Sequence, residues 1–322
     1  MHLDIVIVNW NSGNFLKNCL NSLNQYGLDE IQKVVIIDNN SFDHSHESLK
    51  ECDFNLEVVI NKTNVGFGAA CNQGAALCSS PFILFLNPDT EIFENSLSIP
   101  LKFISDESNF NIGIAGVRLV DKAGKYSTSC ARFPSAKRYF FRALGLTTFF
   151  PKYFQYTLMK SKEIQTSGIV EQIMGAFFLI RRDLFENLDG FDEQFFVYMD
   201  EVDLSYRAKI MGFDSYYISE VKAFHQGGGS TDQIKAKRVF YSLRSRLQFF
   251  NKHFGYSVNL LMWFEVFILE FFSRIIFSML KLNLIQFFQT FKIFIYIYGW
   301  ALIKIFSFIL KSLGISKVFS NK

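Results

Sequence analysis

The sequence predicts an α/β protein with a mostly parallel central sheet and a hydrophobic helical segment at its C-terminal end. Three observations point there. Short apolar runs alternate with helix-length stretches through the first 90 residues, and two of these runs end in Asp or Asn, at Asp38 and at Asn87-Pro88-Asp89. Across residues 258–310 Phe, Ile, Leu, Trp and Tyr dominate.

Asp4-Ile-Val-Ile-Val8 has the β-branched, apolar character of a buried parallel strand. It gives way to the polar Asn9-Trp10-Asn11-Ser12-Gly13, a helical stretch to about Leu23, and then Val34-Val-Ile-Ile37 ending in Asp38-Asn-Asn-Ser41. Open parallel sheets bind ligands in the crevice outside such C-terminal strand ends. Residues 56–60 predict a third strand, and residues 68–77 a helix behind a glycine-bearing loop. Pro81-Phe-Ile-Leu-Phe-Leu86 predicts a buried strand that delivers Asn87-Pro88-Asp89 to the same edge.

Residues 112–129 read as short strands around the turn Asp121-Lys-Ala-Gly124, and the aromatic, basic segment 134–168 as a mobile flap or acceptor loop. Residues 170–180 are strand-like with an interruption at Gly175-Ala176, followed by a helix start at Arg182-Asp183 and the turn Asp189-Gly190. An acidic helix over about 200–211, a short strand at 216–218 and Val221-Lys-Ala-Phe-His225, running into Gly227-Gly-Gly229, complete a catalytic domain expected over residues 1–250.

Residues 251–322 are expected to form a membrane-associating segment. Its two apolar stretches, 258–280 and 285–310, reach the roughly 20 residues that cross a bilayer. Glu265, Glu270 and Arg274 interrupt the first and Lys292 and Lys304 the second, which favours helices lying in the interface or a tilted hairpin. Lys311, Lys317 and Lys322 suit an anionic cytoplasmic leaflet. A soluble bundle with an apolar core is the competing reading.

Composition bounds the function. The balance of 33 Lys and Arg against 30 Asp and Glu argues against a nucleic-acid binder. Cys19, Cys52, Cys71, Cys78 and Cys130 are scattered without a Cys-x-x-Cys pair, as expected of reduced cysteines in the cytoplasm. The N-terminal run lacks the basic and long apolar regions of a secretion signal.

Two constellations carry candidate chemistry. Asp89 directly follows an apolar strand, where a hard carboxylate oxygen suits Mg²⁺ or Mn²⁺, although Asn-Pro-Asp is also good turn chemistry. In Asp200-Glu201-Val202-Asp203, successive helical residues splay by about 100°, so the acids divide their tasks. Asp203 can pair with Arg207 one turn on, and Asp200 can sit at the helix start as an N-cap acid. Glu201 is left as the candidate general base, an assignment the segment alone leaves open. His225, ending a strand before glycines, is either a structural imidazole or an added metal ligand. Asn64-Val-Gly-Phe-Gly68 lacks the G-x-G-x-x-G pattern, which argues against a classical NAD fold.

Six motifs in order make a resemblance specific: Ile5-Val-Ile-Val-Asn-Trp-Asn11, Ile37-Asp-Asn-Asn-Ser41, Asn64-Val-Gly-Phe-Gly-Ala-Ala-Cys-Asn72, Leu86-Asn-Pro-Asp-Thr90, Gly175-Ala-Phe and Tyr198-Met-Asp-Glu-Val-Asp-Leu204. Over residues 3–250 the chain resembles family 2 glycosyltransferases of the rhamnosyltransferase and galactofuranosyltransferase type. The resemblance implies a GT-A fold, Asp38 reading the nucleotide base, and Asn9 and Asn11 lining its pocket. It places Asp89 at the metal as the last residue of a D-x-D site whose first position is Asn87 here, with His225 on the metal side. Asn64, Gly66, Asn72, Asn87, Gly175 and Ala176 fall in the motifs that hold the nucleotide sugar. The base is implied at Glu201, with Asp200 the alternative because many relatives carry Glu-Asp where this chain has Asp-Glu.

The implied function is inverting, metal-dependent transfer of a sugar, rhamnose first among the candidates, from a dTDP- or UDP-sugar to a lipid-linked or oligosaccharide acceptor. The setting would be cell-surface polysaccharide synthesis at the cytoplasmic face of the membrane. A galactofuranosyl- or hexosaminyltransferase is the alternative within the enzymes, and a noncatalytic membrane-associated scaffold of the same fold lies outside them.

Overall fold

The computed structural model describes residues 2–45, 52–227 and 235–312. The chain divides into two compact units, one of Met1–Arg138 and Gln155–Asp232, the other of Tyr139–Phe154 and Gln233–Lys322.

The first unit opens with β1 (Leu3–Asn9), α1 (Asn14–Tyr26), β2 (Ile31–Asp38), β3 (Asn55–Ile60), α2 (Phe67–Ala75), β4 (Phe82–Leu86), β5 (Thr90–Ile92) and α3 (Ser98–Ser105). There follow β6 (Ile112–Val120), β7 (Cys130–Ala131), α4 (Ala136–Ala143), which runs into the second unit at Tyr139, α5 (Leu146–Phe149), which belongs to that unit, and then, in the first again, β8 (Gly168–Val170), β9 (Gln172–Ile173), β10 (Phe177–Arg181), α6 (Arg182–Asn187), α7 (Asp200–Ile210) and β11 (Asp214–His225). The main sheet runs β3-β2-β1-β4-β10-β6-β11-β5, with β8 also on β11, and β7 pairs with β9 apart from it.

Strands β3, β2, β1 and β4 are parallel, so the ends of β1, β2 and β4 reach one edge; Asn9 lies opposite Asp38 in register. Strand β10 runs antiparallel to both β4 and β6, and two reversals restore the direction, so β6 and its parallel partner β11 point the same way as β4. The start of β10 and the end of β11 therefore join that edge. Short β5 closes it, with Thr90 opposite His225.

Both sheet faces are covered, which explains strands apolar at every position rather than at alternate ones. Ile5, Ile7, Leu84, Leu86 and Leu179 face one core with Leu16, Leu20 and Leu23 of α1 and Leu101 and Ile104 of α3. Val6, Val8, Ile83, Phe85, Phe178 and Ile180 face the other with Ala70 and Cys71 of α2, Leu184 of α6 and Leu204 of α7.

Three local expectations are corrected. One nine-residue strand, β6, replaces several short ones, because its residues are buried on both faces. The two short strands expected near the end of the unit are one, β11, which stays paired with β6 through a shift in register between Ile218 and Lys222 that absorbs the polar Ser219 and Glu220. Segment 134–168 carries α4, α5 and a 3₁₀ turn at Ser161–Glu163 rather than loop alone.

In the second unit, α8 (Lys235–His253) precedes α9 (Tyr256–Phe264), a π-helical turn (Glu265–Glu270), α10 (Phe271–Leu280) and α11 (Leu284–Ser312). Five residues span about 500° of an α-helix and would point Glu265 and Glu270 well apart, whereas i→i+5 bonding brings them toward one face. There Arg246 of α8 meets both, with Nη1 at 3.0 Å from Glu265 Oε2 and 3.7 Å from Glu270 Oε2. Arg246 also lies 4.1 Å over the Tyr139 ring. Among the described residues one helical stretch, Leu284–Ser307, is long and apolar enough to cross a membrane. Lys317 and Lys322 lie outside the described residues.

Candidate active site

The edge described above gathers three groups of side chains. The first lies beyond β1 and β2. Asn9 donates from Nδ2 to Asp38 Oδ1 at 2.6 Å and to Ser45 Oγ at 2.8 Å, and its Oδ1 accepts from the Ser12 hydroxyl. The other oxygen of Asp38 accepts from the Ser41 amide at 2.9 Å. Asn9 and Asp38 are both fully buried, so their polar atoms must be satisfied inside the protein. Asn11 stands in the left-handed region at φ 50°, which Asn tolerates better than most residues. Its Oδ1 accepts from the Phe42 amide at 2.9 Å, while its Nδ2 is buried with no partner among the described residues. A buried orphan donor, on a loop held through the Ser41 hydroxyl, the Phe42 amide and Asp43, is a ready contact for a ligand carbonyl.

Beside it, Asn39 is a hub that composition did not single out. Its Nδ2 donates to the Gly66 carbonyl at 3.0 Å and its Oδ1 accepts from Asn61 and the Val65 amide. Asn64 turns the same loop, accepting from the Gly66 amide at 2.9 Å. Gly66, at φ +97°, could not carry a side chain, because a Cβ would sit 2.6 Å from the Phe196 carbonyl oxygen. Asn72 holds the loop before α7, exchanging hydrogen bonds with the Phe191 backbone at 2.9 Å each way and reaching Glu193 Oε1 at 3.0 Å. Its amide is committed to that clamp.

The second group is Asp89 and His225, on neighbouring strand ends. Asp89 Oδ1 lies 3.4 Å from His225 Nε2, and the backbones are joined by the Gln226 amide donating to the Asp89 carbonyl at 3.1 Å. That separation is long for an N–H···O hydrogen bond and near the roughly 3 Å between adjacent ligands of an octahedral cation. The described residues contain no cluster of three or more His, Cys, Asp or Glu able to hold a metal. Two donors of this kind fit a Mg²⁺ or Mn²⁺ that takes its remaining oxygens from a diphosphate and water. Asn87 is fixed through its backbone, its amide donating to Ala176 O at 3.1 Å.

Residues Gly175 and Ala176 link this group to the third. The Ala176 carbonyl also accepts from Thr90 Oγ1 at 3.3 Å, locking the start of β10 to the loop that presents Asp89. On the other side, the Glu201 side chain lies over Gly175, its Cγ 3.7 Å from where a Cβ would be. Glu201, Gly175, Ala176, Asn87, Asp89 and His225 thus form a continuous line along the edge.

Helix α7 starts from two successive left-handed residues, Tyr198 at φ 66° and Met199 at φ 67°, a strained entry of the kind found at functional sites. Met199, not Asp200, is the N-cap, and Asp200 is the first helical residue, buried with Oδ2 unpartnered among the described residues. The N-cap expectation fails because the left-handed entry turns the Asp200 side chain inward. Burial, then the charge and hydrogen bond of Glu201, hold the Asp200 carboxyl well above the usual carboxylate range. Asp203 pairs with Arg207 as expected, Nε to Oδ2 at 2.7 Å, and Arg207 extends to Leu188 O at 2.5 Å and Gly190 O at 2.8 Å.

Residues missed from the sequence are Ser12, Asp43, Ser45 and Asn61, which tie the loops of the first group; Asp43 Oδ2, for example, accepts from the Gly13 amide at 2.8 Å. The signal available was the density of Asn, Ser and Asp after β1 and β2.

Glycosyl transferase family 2 matches residues 4–189 of the chain. The N-acetylglucosaminyl-diphospho-decaprenol L-rhamnosyltransferase of Mycobacterium tuberculosis is 26% identical over 274 residues, 81% of this chain and 88% of that protein. Rhamnosyltransferase WbbL of Escherichia coli is 24% identical over 261 residues, 76% of this chain and 91% of that protein. Among solved structures, GalNAc-T7 with UDP, GalNAc and Mn²⁺ is similar with a TM-score of 0.54 at 15% identity, covering 70% of this chain and 44% of that one. The chain thus spans less than half the length of that protein. The Pyrobaculum calidifontis mannosyltransferase PcManGT, in complex with GDP-Man and Mn²⁺, has a TM-score of 0.51 at 14% identity, covering 84% of this chain and 71% of that one.

Proposed function

The chain belongs to glycosyl transferase family 2 and has the GT-A fold, and from that premise we propose that it moves a sugar, with inversion, from a nucleotide diphosphate to a lipid-linked saccharide. The observation that carries the reading is the continuous line from Glu201 across Gly175 and Ala176 to Asp89 and His225. Acceptor, sugar and diphosphate need that order.

In this mechanism Asn11 Nδ2 donates to a carbonyl of the base, on a loop that Asn9 and Asp38 hold in shape. Asp89 and His225 would hold a Mg²⁺ or Mn²⁺, which would supply neutralisation of charge on the leaving diphosphate. Gly175, having no side chain, leaves the sugar room beside Glu201. Glu201 takes the proton of an acceptor hydroxyl as its oxygen bonds to the anomeric carbon. The bond from that carbon to the diphosphate oxygen breaks on the opposite side, which inverts the configuration. Burial, and then the neighbouring Glu201, disfavour the charged form of Asp200, which favours Glu201 for the base role.

Rhamnose from dTDP-rhamnose is the donor this reading favours, supported by the two rhamnosyltransferases above, one named for a diphospho-decaprenol acceptor. UDP-sugars are the second choice of donor. The site serves polysaccharide assembly at the cytoplasmic face of a membrane, where the apolar helices α9 to α11 dock. A panel of dTDP- and UDP-sugars assayed with Mg²⁺, Mn²⁺ or chelator, with the product's anomeric configuration read by NMR, tests it. Metal-dependent turnover of dTDP-rhamnose with inversion is expected; retention, or full turnover in chelator, contradicts the mechanism.

A further inference from the structure

Tyr139–Phe154 and Gln233–Lys322 together hold fifteen of the chain's 33 Lys and Arg but only two of its 30 Asp and Glu. Those two, Glu265 and Glu270, are buried and engaged, Glu265 by Arg246 and Glu270 by Arg246 and by Arg274 at 2.7 Å. The unit's acids are thus far outnumbered by its cations. The same unit exposes Leu261, Phe264, Ile268, Phe272, Ile276 and Met279 along one helical run, with more on α11. One-signed charge beside exposed apolar side chains complements the surface of an anionic bilayer.

Two of the unit's cations stand on packed helices, Arg244 on α8 and Lys304 on α11. Arg244 of α8 is half-buried, and its Nε, out of contact with water, has no hydrogen-bond partner among the described residues. Helix α11 packs on α8, with the Phe240 and Tyr296 rings 6.0 Å apart; Arg244 lies one turn beyond Phe240, and Trp300 and Lys304 one and two turns beyond Tyr296, with Lys304 Nζ 5.1 Å above the Trp300 ring. Like charges on packed helices favour an anion that can join them. Trp300 stacks on Trp263 with ring centroids 6.0 Å apart, and Trp263 on Phe267 at 5.1 Å. Trp263 and Phe267, with Ser257, Leu260, Leu261 and Phe264, line an open, mostly apolar groove of about 610 Å³.

We propose that Arg244 and Lys304 form a site for the phosphate of an anionic phospholipid, with its hydrocarbon chain received along the Trp300–Trp263–Phe267 stack. The arrangement is amphiphilic in the order a phospholipid requires: cations, then indoles, then an open apolar groove. This rests on the membrane docking proposed above and adds to it a choice among lipids.

The test is flotation of the full chain with vesicles of phosphatidylcholine alone or mixed with phosphatidylglycerol, at low salt and at about 0.5 M salt, where exposed charges are screened and partly buried ones much less. Wild-type protein is expected to bind both vesicles and to favour the anionic ones roughly thirtyfold at low salt, with about tenfold preference surviving at high salt. Arg244→Gln with Lys304→Gln should lose the surviving preference while still binding phosphatidylcholine. Lys281→Gln with Lys292→Gln, an equal change of charge at two exposed positions, should keep it. Lys304→Gln alone should reduce the surviving preference, the half-buried Arg244 remaining, and keeps the test open if the Arg244 variant does not fold. A wild-type preference that vanishes in high salt, or one that survives in the double variant, overturns the site but leaves membrane docking standing. Failure of the wild type to float with either vesicle overturns docking itself.

Discussion

Asp200 and Glu201 are neighbours in sequence with opposite surroundings. Asp200 is 2% exposed and faces the interior, whereas Glu201 lies over Gly175 at the edge of the crevice. Because burial and Glu201 raise the Asp200 pKa above its unfolded value, the stability tied to its proton is fully present below the unfolded carboxylate pKa and is lost as pH rises through the folded one. Asp200→Asn should therefore flatten the pH dependence of stability, raising the apparent Tm by about 2–4 °C near pH 8 and leaving it unchanged near pH 4. A variant melting in parallel with wild type at both pH values would contradict the raised Asp200 pKa. At the other end of the line, Asp89→Asn should weaken Mn²⁺-dependent donor binding at least about tenfold, the worth of one charged contact. Calorimetry with and without Mn²⁺ checks it, and equal donor affinity in both conditions in the wild type would remove Asp89 from the metal. Some of this site was legible in residue types: hard oxygen after a strand, acids at a helix start. Asn39 and Asp43 were not, because their roles come from loops meeting across 26 and 30 residues of sequence.

Element boundaries were readable where both faces of a strand are buried. The runs at 4–8 and 82–86 show it, since apolar continuity there marks a strand covered on both sides. Polar residues misled where tertiary pairing overrode them: Ser219 and Glu220 suggest a break, yet β11 continues past them because β6 supplies a partner on either side. Likewise the left-handed pair Tyr198 and Met199 has no sequence signature, as neither residue is a usual occupant of that region. What secures the start of α7 is its charge pair. Asp203 is fully buried, and Arg207 ties it to the carbonyls of Leu188 and Gly190. Removing one partner leaves an uncompensated buried charge, so Asp203→Ala should cost about 3–5 kcal/mol in urea unfolding. A loss below about 1 kcal/mol would mean that the pair is a surface contact in effect.

At the scale of the whole molecule, a chain of net charge +3 hides a strong division. The unit holding the crevice has 28 acids against 18 Lys and Arg, and the apolar helical unit has two against fifteen. The average over the chain conceals this, which is why composition alone excluded a nucleic-acid partner without indicating an anionic surface. The C-terminal helices were legible from apolar density; the π-helical turn that points Glu265 and Glu270 at Arg246 was not, because its spacing looks like ordinary helix with two misplaced charges. The central claim is that one carboxylate, Glu201, drives transfer at the crevice edge. The direct measurement is single-turnover transfer from a nucleotide sugar by wild type and Glu201→Gln, with donor affinity measured on the same preparations. Because a general base acts in the transition state, the variant should lose about 10²–10⁴-fold in rate and keep its donor affinity within about twofold. Near wild-type transfer by Glu201→Gln, or a loss matched by an equal loss of donor binding, would contradict it.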